Sequence, residues 1–234
     1  MCHEDSRPDG KHASLDAPFL DRLVGGTELA IGGGNPLCHP GLDGLLERMR
    51  ERSVICNITV NEGHLPKYSE RLLSLRRKGL IHGIGVSVSR ANGDTVDFLK
   101  SEGAVAHLIA GLVTPPLINK LEGASVLFLG YKKIRRGAEY HSPLIEKRID
   151  WLRGVMPRLL GHFGRVSFDN LAIEQLGVKE FLSPERFAEC YMGDDGESTM
   201  YVDLVRREFA KSSTALERFP LLDSAELMLR KIRQ

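Results

Sequence analysis

The chain has 234 residues, of which 42% are hydrophobic, and 32 Lys and Arg are set against 31 Asp and Glu. That is enough apolar material for one large domain, and the near-neutral balance excludes a general electrostatic grip on nucleic acid or an anionic membrane surface. No run approaches the length of a membrane span and the N-terminus is polar, so a cytoplasmic protein is expected.

The first 26 residues, "MCHEDSRPDGKHASLDAPFLDRLVGG", hold a helical pattern around 16–24 with no strand ahead of it. From Glu28 a regular beat begins. "ELAI" reads as a strand, Gly32, Gly33, Gly34, Asn35 and Pro36 as a backbone-exposing loop, and Leu42, Leu45, Leu46 and Met49 as one helix face. "VICNITVN" (54–61) is the next strand and "PKYSERLLSLRRKG" (66–79) a helix stopped by Gly79. "IHGIGVSVS" (81–89), "AVAHLIAGL" (104–112), "ASVLFLGYK" (124–132) and "RVSFDN" (165–170) continue the strands. Helices over 94–103, 115–123, 144–161 and from 171 fall between and after them. Pro157 predicts a bend in the longest of these helices, and "KIRRGAEYHSP" reads as a loop. Six strands alternating with helices predict an α/β fold with a parallel sheet. The rest, 178–234, breaks the beat. A short helix over 183–193, a hairpin across "RR" within 198–214 and a helix over 223–233 form an extension packed on the same domain.

Polar residues recur on the strands with period two. Asn57, Thr59 and Asn61 share one face, as do Ser87 and Ser89, and such alternation suggests a surface open to a polar ligand. His107 lies in an apolar strand and fits either a hydrogen-bonded core group or a ligand-facing one. Asp169 and Asn170 close the last strand. "YKKIRRG" (131–137) is either a grip for a carboxylate or phosphate or a solvated loop. The four cysteines, Cys2, Cys38, Cys56 and Cys190, are too scattered for a disulfide framework or a metal knuckle. The chain lacks both a P-loop and a dinucleotide-binding fingerprint.

"ELAIGGGNPLCHPGLDGLLERM" is similar to the second strand, loop and helix of radical S-adenosylmethionine enzymes, whose loop reads roughly Gly-Gly-Glu-Pro and often has a following His-Pro. Gly33, Gly34, Asn35 and Pro36 fill those places here, with His39-Pro40 after them. "VICNITVN" resembles the next strand and "IHGIGVSVS" the one after. The resemblance covers about residues 1–170 and implies a partial (βα)6 barrel, here lacking its first strand, over 1–177. It also implies a 4Fe–4S cluster on a Cys-x3-Cys-x2-Cys motif, and S-adenosylmethionine cleaved to a 5′-deoxyadenosyl radical. On the same resemblance the glycine loop binds the methionyl amino group. Gly33, Gly34, Asn35, Pro36, Asn57, Asn61 and Ser87 are the expected cofactor contacts. Cys2 matches the last cluster cysteine, and the first two are absent, so the chain reads as cut within the motif and inactive alone. The competing readings are a cluster-free α/β binding module and an unrelated α/β barrel hydrolase or isomerase using His107, Asp169 or Lys132. A small-molecule cofactor is the expected partner. The substrate is not legible, because its contacts come from variable loops.

Overall fold

The computed structural model describes residues 10–234. Its organising element is a six-stranded parallel sheet whose strands lie side by side in chain order. They are β1 (Glu28–Ile31), β2 (Ile55–Asn61), β3 (Gly83–Ser87), β4 (Val105–Ile109), β5 (Ser125–Leu129) and β6 (Arg165–Phe168). Among the described residues β1 and β6 each pair on one side only, which leaves the sheet open there. Among the described residues no strand precedes β1.

Each crossover carries a helix: α1 (Leu42–Glu51), α2 (Leu65–Arg77), α3 (Gly93–Ser101), α4 (Pro115–Lys120), and, between β5 and β6, α5 (Arg136–Glu139) followed by α6 (Pro143–Leu159). Right-handed crossovers between neighbouring parallel strands place these helices on one face of the sheet. Burial follows that rule. Cys56, Ile58 and Val60 are buried on β2 and Ala106 and Leu108 on β4. The alternate residues Asn57, Thr59, Val105 and His107 are only half-buried. The helices bury Leu42, Leu45, Leu46 and Met49 of α1 and Ile145, Ile149, Leu152 and Met156 of α6 against the strands. Each such side chain contributes roughly 1.5–3 kcal/mol. Local chemistry sets the helix ends. The Asn92 side chain accepts from Thr95 N at 2.8 Å to start α3. Gly79 and Gly103, at φ +67° and +61°, end α2 and α3.

Beyond β6 come α7 (Asn170–Gln175), α8 (Val178–Phe181) and α9 (Pro184–Cys190), then a three-stranded antiparallel sheet of β7 (Tyr201–Asp203), β8 (Glu208–Ala210) and β9 (Phe219–Pro220), and α10 (Ala225–Ile232). Phe209 and Met228 anchor this extension in the core. It is tied to the β5–β6 side by Lys132–Ser213 and Asn170–Asp195 hydrogen bonds. Arg207–Asp16 and Arg22–Asp223 ion pairs tie it to the segment ahead of β1.

Several local expectations are corrected. The helix around 16–24 is one 3-10 turn, Pro18–Arg22, because only Phe19 and Leu20 of that turn reach the core. The loop after β5 contains α5. The hairpin gains a third strand carrying Pro220, which is tolerated because β9 is an edge strand whose missing N–H removes no bond from the sheet interior. Pro157 is accommodated inside α6, in the last turn before Leu159, where the helix ends two residues short of the expected 161.

Candidate functional site

In an open parallel sheet, ligands bind beyond the carboxyl ends of the strands. Here β1 ends in Gly32, Gly33 and Gly34, all exposed. Gly33 has φ +121°, a conformation that strains any other residue, and a Cβ at Gly32 or Gly33 would meet nothing within 4 Å. The loop thus presents bare backbone to open space. Asn35 then turns the chain, its side chain accepting from Leu37 N at 3.1 Å, and Pro36 is buried as the first residue of a short 3-10 helix, Pro36–Cys38. Both residues shape the loop. His39 is also structural. Its Nε2 donates to Ala13 O at 2.9 Å while Nδ1 accepts from Gly41 N at 3.0 Å, so both ring nitrogens are used.

The register aligns Asn61, Ser87 and His107 in one row across β2, β3 and β4 on the face without helices. Asn61 and Ser87 stand at the strands' carboxyl ends, near the level of the glycine loop. Asn57 does not. It pairs with Gly83, the first residue of β3, and with Ala30 within β1, below the carboxyl ends. Its amide is spent there, donating to Glu28 and accepting from Gly83 N at 2.7 Å. The placement of Asn57 among the residues at the strand ends is therefore corrected: Asn61 lies four positions further along β2, about 13 Å away.

On β3 the open face carries Gly83, Gly85 and Ser87, almost without side chains. Neighbours lean into the space. A Cβ at Gly85 would lie 2.6 Å from His107 Nε2 and 2.7 Å from Thr59 Oγ1. Gly85 thus lets Thr59 and His107 converge on a bare stretch of backbone. Burial pushes the imidazole down to about 4, so His107 is neutral at physiological pH. The two glycines sit at i and i+2 in "IHGIGVSVS", a period that marks them as one face.

Glu62, just past β2, is a residue that the sequence reading missed. Its carboxylate accepts from Ser89 N, Arg90 N and Ala91 N at 3.0, 3.1 and 3.0 Å and from the Ser89 hydroxyl at 2.6 Å. Burial opposes its charge, but these donors outweigh it and hold the carboxyl below the usual range. Lys120 secures the same loop from the carbonyls of Arg90 and Ala91.

At the β5–β6 end, Asp169 caps α7. One carboxylate oxygen accepts from Ala172 N at 2.7 Å and Gly130 N at 2.9 Å. Burial raises its pKa, and these bonds and Lys132 offset that only in part. Asn170 donates to Asp195 at 2.8 Å, and Lys132 donates to Ser213 Oγ at 2.7 Å. His107 and Asp169 share no hydrogen bond, so no base–nucleophile array of the kind a hydrolase needs joins them.

The described residues do not fit an iron–sulfur cluster, which is held by several cysteine thiolates. Cys56 is buried beneath the helices with its thiol pushed up to about 11. Cys38 is exposed beside Tyr68 OH at 3.2 Å, and Cys190 is exposed on α9. Among the described residues no three His, Cys, Asp or Glu side chains are grouped to hold a metal ion. Cys2, the expected cluster ligand, lies outside the described residues. A cavity of about 370 Å³ lies at the amino ends of β2 and β3, lined by Arg50, Ser53, Ile55, Arg76 and His82 among others. It is remote from the glycine loop, and Arg76 there is engaged by Glu102. Among the described residues no helix is long and apolar enough to cross a membrane.

No protein-family model, no curated protein and no solved structure matches the chain.

Proposed function

We propose that this chain is the S-adenosylmethionine-binding core of a radical S-adenosylmethionine-type protein, with the cofactor at the carboxyl ends of β1–β3. The observation that carries the reading is the exposed glycine loop at the end of an edge strand. Its bare backbone stands on the same side of the sheet's end as Asn61 and Ser87. Backbone donors and acceptors there suit an amino acid moiety, and the neutral polar row suits a ribose. When bound at a cluster, the cofactor supplies the radical chemistry, and the chain's own residues bind and orient it. The scattering of Cys38, Cys56 and Cys190 favours a second reading, a cluster-free module that binds the same ligand.

Calorimetric titration with S-adenosylmethionine tests the shared claim. The wild-type chain should bind it saturably. Gly32 has open space and no positive φ, so Gly32→Ala should fold normally and weaken binding about tenfold or more, roughly 1.4 kcal/mol. Gly33→Ala should in addition lose about 1–3 kcal/mol of stability to backbone strain. Absent binding by the wild type, or unchanged affinity in both variants, removes the proposal. Anaerobic loading with iron and sulfide then separates the two readings, since stoichiometric four-iron content would exclude the cluster-free module.

A further inference from the structure

The loop between β8 and β9 of the extension reaches the end of β5, and the groups it brings there are hydrogen-bond donors. Lys132 Nζ donates to Ser213 Oγ at 2.7 Å, so the Ser213 oxygen is used as an acceptor. Arg218 Nη2 donates to Ser213 O at 2.7 Å, and the guanidinium lies over the Tyr201 ring at 5.0 Å. These contacts hold the guanidinium in place. Its other amino group, Nη1, is buried and has no hydrogen-bond partner. A buried guanidinium N–H without an acceptor is costly, and such groups in native proteins are normally met by an ion, a ligand or water. Asp169 interacts with Lys132 electrostatically, but its Oδ1 is committed to Gly130 N and Ala172 N.

We propose that Arg218 and Ser213, beside Lys132, form a binding site for an anionic oxygen group, a phosphate or carboxylate carried by a small molecule. Lys132 and Arg218 both bond Ser213, and the buried Arg218 Nη1 hydrogens left over there require an acceptor-rich partner. A planar guanidinium pre-set by stacking suits such oxygens. The site is separate from the glycine loop and does not depend on S-adenosylmethionine binding.

The test uses the full chain at low ionic strength, titrated with inorganic phosphate and, in a second arm, with acetate. Dissociation constants are measured by calorimetry and the Arg218 guanidinium nitrogen shifts by NMR. At least one anion should bind saturably and move the Arg218 resonances. Arg218→Gln should weaken that binding about tenfold or more, and Ser213→Ala by a smaller factor. A preference for phosphate identifies a phosphoryl ligand, and one for acetate a carboxylate. If Arg218→Gln does not fold, Ser213→Ala, which deletes one oxygen, decides the matter. Failure of both anions to bind the wild type, or equal affinity in the wild type and the folded variants, overturns the proposal.

Discussion

Lowering the pH from 7 to 4 should cost the wild-type chain up to about 3 kcal/mol that a His107→Gln chain does not lose. In the unfolded chain the imidazole titrates near its ordinary value of about 6.5. In the folded chain burial among Thr59, Gly85 and the neighbouring strands holds it at about 4. Between those values the unfolded state binds a proton that the folded state refuses, so stability is fully present above 6.5 and drains away as the pH falls toward 4. Urea midpoints for both chains at half-unit steps of pH give the comparison. Parallel profiles would show that His107 is solvated enough to protonate in place. A steeper wild-type profile places a neutral imidazole, able to donate and to accept, on the open face of the sheet.

Replacing Asp169 should separate two effects that one carboxylate combines. Asp169→Ala strips the acceptor from Gly130 N and Ala172 N, uncaps α7, and should lose about 2–4 kcal/mol. Asp169→Asn keeps that acceptor, because both bonds end on the same oxygen, and it removes a charge that burial disfavours. It should stay within about 1 kcal/mol of wild type. The sign with pH is opposite to that of His107. The folded carboxyl has the higher pKa, so the wild type loses stability as the pH rises from the ordinary carboxylate value through the raised one, and the Asn variant shows no such slope. Equal losses in the two variants would mean that the charge, through Lys132, matters more than the cap.

The alternation of strands and helices was legible because each carries its own period. Leu42, Leu45, Leu46 and Met49 repeat as a helix face, while Cys56, Ile58 and Val60 alternate with Asn57, Thr59 and Asn61. Strand phase tells which side of the sheet a residue occupies, and the open face of β2 could be read from it. Height along the strand is another matter. It depends on where β3 begins to pair, and the pairing of Asn57 with Gly83 is a register that no local pattern in β2 encodes. Glu62 was missed because its partners, the amides of Ser89, Arg90 and Ala91, belong to a different crossover. Ser213 and Arg218 were missed for the same reason on a longer scale, since 81 residues separate Lys132 from Ser213. Pro220 hid β9 because a proline normally argues against a strand, and only its place at the sheet edge reconciles the two.

The tethers between the extension and the segment ahead of β1 bear on how the chain assembles. Every pairing in the parallel sheet joins consecutive strands, so each closes a short loop at modest entropic cost. The contact of Arg22 with Asp223 spans 201 residues. It has little chance of forming before the sheet between them exists, and its ion pair, with both partners more than half exposed, contributes little energy. Assembly is therefore expected to run from a sheet that can grow strand by strand to a final joining of the two ends. Unfolding under native conditions runs the other way. Amide exchange at the β7–β9 sheet and α10 should mark the earliest opening, while the central strands should keep their protons until the whole domain unfolds.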